Sequence, residues 1–179
     1  VATNSDMCAN KPLWEILSEY NKKSIIINAM GSYPPNPIKG IVISGQPTPF
    51  DAKNFTCPPG LAEELKRINF TGPFRSPLKK RRSKKKEDYF TEMDKVCDVG
   101  EYFLKYSSSW DLAFIVLKEP DNFQHKFGGN PEAISNLYEK LDFIIKRFLK
   151  YCDSNTTLMI CSDHGMEKFS RKFYLERWF

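Results

Sequence analysis

The chain has 179 residues, 41% of them hydrophobic and 14% aromatic, enough apolar material for one sizeable core and, by length, for one domain. Its 27 basic and 22 acidic side chains nearly balance, and the net charge of +5 excludes a charge-driven disordered chain and a polycation-like nucleic-acid binder. No apolar run is long enough to cross a membrane as a helix.

In chain order, residues 11–20 place Leu13, Trp14, Ile16, Leu17 and Tyr20 on one helical face. Ser24 to Asn28 is a short β-branched run, the composition of a strand buried on both faces. Three prolines make 32–37 a loop, residues 38–44 could hold a second strand, and proline again punctuates 46–59. Pro58 and Pro59 suit the first turn of a short helix reaching Ile68. Residues 69–86 pass through Gly72, Pro73 and Pro77 into the run Lys79 to Lys86, which reads as a basic loop inserted at about 73–86. Helical spacing resumes from Tyr89 to Tyr106, and Leu112 to Leu117 is another buried strand. Asn130-Pro131-Glu132 starts a helix with an N-cap, a first-turn proline and an acid, and the apolar rhythm then runs from Ile134 to Leu149. Thr156 to Cys161 is the last strand expected. This alternation predicts an α/β fold: a mostly parallel central sheet flanked by helices on both faces, without internal repeats.

Cys8, Cys57, Cys97, Cys152 and Cys161 form no Cys-x-x-Cys pair, which argues against a zinc knot and for reduced thiols in a cytoplasmic protein. Asn-x-Thr triplets at Asn54, Asn69 and Asn155 carry weight only in a secreted chain. The first residue, Val1, begins no signal-peptide pattern and is read as the start of a processed chain or a fragment.

The chemistry concentrates around the only two histidines. Asp121 and His125 lie four apart just beyond the Leu112–Leu117 run, and Asp163 and His164 are adjacent just beyond Thr156–Cys161. Ligands in open α/β sheets sit outside the carboxyl ends of strands, so both pairs are expected on one edge. Side chains adjacent on a strand point to opposite faces, but past the strand end, before Gly165, the backbone can turn and let neighbours converge. Carboxylate oxygen and imidazole nitrogen suit zinc, and also manganese or iron. All four residues are therefore candidate metal ligands.

Ser162-Asp163-His164-Gly165-Met166 resembles the Ser-Asp-His-Gly-Met motif of type I phosphodiesterases and nucleotide pyrophosphatases, in the alkaline phosphatase superfamily. Glu119-Pro120-Asp121 through His125-Lys126-Phe127-Gly128 is similar to their Glu-Pro-Asp-x-x-x-His segment. Leu13 to Leu17, Ile25 to Asn28, Tyr33-Pro34-Pro35, Tyr138 and Leu141-Asp142 fit as well, and Phe173 to Phe179 is similar to archaeal-type members in particular. The resemblance covers most of the chain outside 73–86, and the two metal motifs are its specific part.

It implies an incomplete alkaline-phosphatase-like fold, with residues 1–179 as part of a single hydrolase domain. It also implies two divalent metal ions, zinc or manganese, and a phosphoester or nucleotide substrate cleaved through a covalent phospho-enzyme. Asp121 and His125 would serve the metal that activates water, and Asp163 and His164 the metal that holds a Thr or Ser nucleophile. In the family that nucleophile and a further Asp lie upstream of what matches residue 1, and a third histidine lies downstream. This chain has neither, so alone it is expected to turn over little substrate.

Two other readings of the sequence stand beside this one. Lys79 to Lys86 could contact nucleic acid or another anionic partner, but no aromatic residues interleave the lysines to stack bases, and a solvated loop is favoured. The second is a non-catalytic binding protein on a degraded hydrolase fold.

Overall fold

A computed structural model describes residues 5, 9–49, 51–70, 73–74, 84–107, 109–167 and 174. Its elements are α1 (Leu13–Glu19), β1 (Ser24–Ala29), β2 (Gly40–Ser44), β3 (Thr56–Cys57), α2 (Leu61–Arg67), α3 (Lys86–Tyr106), β4 (Leu112–Ile115), α4 (Glu119–Phe127) and α5 (Pro131–Leu149). The sheet order is β3-β2-β1-β4. β1 runs parallel to β2 and β4, with Ser24 opposite both Gly40 and Leu112, whereas the two-residue β3 is antiparallel to β2. The sheet is thus mixed, and its parallel part is the part the sequence predicts.

Period-two alternation divides the core. Ile25, Ile27 and Ile43 face α2 and α3, packing with Leu61, Leu65, Val96, Val99 and Phe103. Ile26, Val42 and Cys57 face the other way and meet Trp14 of α1, so helices cover both faces. A further cluster joins α3 to α4 and α5 through Met93, Phe123, Leu137 and Ile144. Gly40 is required where β2 starts: its φ is +128°, and a Cβ there would lie 2.0 Å from the Ser24 carbonyl oxygen.

Helix α5 begins as the sequence dictates, with the Asn130 carboxamide oxygen accepting the Ala133 N–H at 3.0 Å. Helix α3 starts at Lys86, ahead of the expected Tyr89, because Asp88 accepts the Lys85 N–H at 2.6 Å and fixes the first turn. Two expectations fail. Thr156–Cys161 joins no described strand, and Leu158, Met159 and Ile160 are 44%, 80% and 67% exposed. An apolar run becomes a strand only where a neighbour completes its ladder, and no described strand pairs with this one. The basic run is not wholly a solvated loop either. Residues 75–83 lie outside the described residues, but Lys84 is buried, with Nζ 3.3 Å from Glu119 and 4.9 Å from the centre of the Tyr89 ring. A buried ammonium needs such partners to offset its desolvation.

Candidate functional site

The carboxyl ends of β1, β2 and β4 meet at one edge of the sheet. Asn28 closes β1 with φ of 60°, a left-handed conformation that Asn tolerates better than most residues, at the point where the β1–β2 register shifts. Its Nδ2 donates to the Val116 carbonyl at 2.9 Å and ties the end of β1 to the chain leaving β4. Beside it the Ser44 hydroxyl donates to the Ser32 carbonyl at 2.9 Å, and Ser32 Oγ accepts the Gly45 N–H at 3.1 Å. These buried groups are paired, so the loops at this edge are preorganised.

Directly after β4 the chain enters α4, whose Pro120 occupies the first turn without forfeiting a helical hydrogen bond. Phe123 and Phe127 face α3 through Tyr89, leaving Asp121 and His125 on the opposite side, one turn apart. His125 Nε2 lies 3.3 Å from Asp121 Oδ1. His164 Nε2 approaches the same oxygen to 3.9 Å and is also 3.9 Å from Asp163 Oδ2. The chain therefore gathers both histidines around the Asp121 carboxylate, while Asp163 stays 90% exposed and contacts His164 alone of the other three.

The His164 ring is held by its own backbone. Nδ1 lies 2.9 Å from the Gly165 carbonyl oxygen, which can only accept, so Nδ1 carries the hydrogen and Nε2 is left facing the carboxylates. Ser162 Oγ donates to the His164 carbonyl at 2.6 Å and shapes the turn. The Gly165 contact, then Asp163 and Asp121, raise the His164 pKa above its ordinary value, because each favours the imidazolium.

Donor chemistry fits a divalent cation. Ligand atoms at about 2.0–2.1 Å from a tetrahedral zinc stand roughly 3.3 Å apart. The His125–Asp121 separation of 3.3 Å matches that spacing. Among the described residues, however, no three or more His, Cys, Asp or Glu side chains form one cation-holding group. What the chain assembles is paired donors.

Both pairs and their setting carry a family signature. Residues 2–179 match the family described as type I phosphodiesterase / nucleotide pyrophosphatase. The chain belongs to this family. The mixed sheet between helices is consistent with the alkaline-phosphatase-like α/β architecture expected of a type I phosphodiesterase relative. A similar curated protein is GPI ethanolamine phosphate transferase 2 from Kluyveromyces lactis, 25% identical over 65 residues, which is 36% of this chain and 8% of that protein. The chain thus spans a small part of that relative's length. No solved structure matches the chain.

Three polar residues of this edge were not singled out by the sequence: Asn28, Gln46 and Lys118, which line an open cleft on the α3 side. Asn28 had a readable signal, an Asn directly after a β-branched run. Gln46 and Lys118 had none, because their placement depends on how three separate segments converge.

Proposed function

We propose that the chain carries the metal-binding part of a hydrolase that cleaves phosphodiester or pyrophosphate bonds, with residues 1–179 as part of one hydrolase domain. The observation that supports this best is the approach of His125 and His164, from separate segments, to the Asp121 carboxylate. Asp121 and His125 would hold one divalent cation, zinc or manganese, and Asp163 and His164 a second. When bound, such cations neutralise phosphoryl oxygens and acidify a coordinated water. The Gly165 carbonyl keeps the His164 proton on Nδ1, so Nε2 stays available as a donor. The Thr or Ser nucleophile belongs upstream of residue 1, and no hydroxyl of this chain is assigned that role. The name of the Kluyveromyces lactis relative denotes transfer of ethanolamine phosphate.

In a catalytically active, full-length form of the protein, replacing Asp163 or His164 by Ala is expected to cut phosphodiester turnover by orders of magnitude and lower bound metal. Folding should change little, since these side chains are 90% and 58% exposed. Hydrolysis of a nitrophenyl phosphodiester and metal content by mass spectrometry check this. Turnover that survives both substitutions would overturn the site assignment.

A further inference from the structure

On the α3 side of the carboxyl edge lies a small open cleft, with apolar walls from α3 and the segment after β4 and polar lining from Asn28, Gln46, Glu92, Lys118 and Glu119. None of the four candidate metal ligands lines it. Its charges do not cancel internally. Glu92 pairs with Lys95 at 3.0 Å and Glu119 with Lys84 at 3.3 Å, so both acids are already matched by lysines from outside the cleft. The Asn28 amide is committed to Val116. Lys118 is half-buried, and neither its ammonium nor the Gln46 side chain has a hydrogen-bond or ion partner among the described residues. A lysine without a partner among the described residues, in a cleft whose carboxylates are already paired, favours an anion from solution. The Gln46 main chain is anchored beside the Ser32–Ser44 network, its backbone carbonyl accepting the Gly31 N–H at 2.8 Å.

We infer that Lys118 and Gln46 form an anion subsite that takes a phosphoryl group of the substrate other than the one being cleaved. Lys118 directly precedes α4, and Asp121 lies within the first turn of the same helix. The subsite and the Asp121 carboxylate therefore both belong to one helix start. This specificity role rests on the phosphoester reading above; the anion site itself rests only on the cleft.

The test is calorimetric titration of the chain, its Lys118→Ala form and its Lys118→Arg form, without added metal. The probes are inorganic phosphate, a dinucleoside pyrophosphate and bis(4-nitrophenyl) phosphate. Lys118→Ala should weaken binding of the dinucleoside pyrophosphate at least tenfold and leave the singly charged diester unchanged, while Lys118→Arg should retain most of the affinity. Equal binding by the wild-type and Ala forms overturns the subsite. Dependence on Lys118 for inorganic phosphate alone shows a site for free phosphate and overturns the substrate role. Thermal melting of Lys118→Ala within a few degrees of wild type assigns any loss to the ammonium rather than to unfolding. Failure of the hydrolase reading would appear separately, as turnover by the full-length protein that survives loss of both Asp163 and His164, with Lys118-dependent binding intact.

Discussion

Asp111 joins two strands at their amino ends. Its carboxylate accepts the Lys23 N–H at 2.8 Å and the Lys22 ammonium at 3.0 Å, just before β1 and β4 come into register. The Lys23 amide first, then Lys22, hold its pKa below the ordinary carboxylate value, because both favour the charged form. The folded-state pKa is therefore the lower one. The stabilisation is fully present above the unfolded-state value of about 3.9 and is lost as pH falls through the folded-state value. Asp111→Asn should destabilise the chain at pH 7 by more than it does at pH 2.5. Urea unfolding at both pH values measures this, and a difference independent of pH would show that the carboxylate's charge is irrelevant. The candidate site was legible at this same scale in part. Two histidines with companion aspartates, one pair just after β4, mark the chemistry, whereas the shared approach to Asp121 depends on where α5 returns the chain. Spacing along the sequence carries no information about that. The burial of Lys84 was hidden for the same reason: in a run of lysines, nothing distinguishes the one that finds Glu119.

Between elements, α3 and α5 are laced together by charge. Arg147 lies 2.6 Å from Asp98 and 3.9 Å from Asp94 and also binds Glu101, while Lys140 reaches Asp94 at 2.5 Å. The Arg147 side chain is only 18% exposed, and its pairing with Glu101 raises its pKa, so it stays charged at any working pH. Exposed pairs contribute at most about 1 kcal/mol, and broken buried ones cost roughly 3–5 kcal/mol. For this half-buried fork, Arg147→Ala should cost about 1–2 kcal/mol, between those limits. Arg147→Lys should recover only part of it, since an ammonium cannot span three carboxylates as a guanidinium does. Chemical denaturation of the two variants tests both statements; equal stability of wild type and Arg147→Ala would remove the network from the account. At this scale, elements with strong local signals were readable. Helix α5 has its cap and rhythm, and β1 its β-branched run. Helix α4 was not, because Glu119-Pro120-Asp121 reads equally well as a turn. The two-residue β3 was invisible, since its pairing with Val42 and Ile43 comes from the neighbour and not from Thr56 and Cys57 themselves.

The whole molecule is unequally covered. Among the described residues, the α3 side of the sheet lies under α2 and α3, with α4 and α5 packed beyond, while the opposite side meets α1, where Trp14 approaches Phe114 to 5.9 Å between ring centres. Phe114 remains 39% exposed there, with Leu13 and Ile16 at 54% and 41%. Past α5, Met159 and Ile160 are 80% and 67% exposed, without a ladder partner among the described strands. Exposed large apolar side chains favour association where they lie together. The 159–160 segment offers the cleaner test, because side chains this exposed contribute little to the fold. Met159→Lys with Ile160→Lys should leave unfolding free energy within about 0.5 kcal/mol of wild type per substitution. It should also shift the mass distribution in sedimentation velocity toward the monomer. A large loss of stability would mean that the segment packs in solution as the strand its composition suggests. An unchanged mass distribution would show that the segment drives no association.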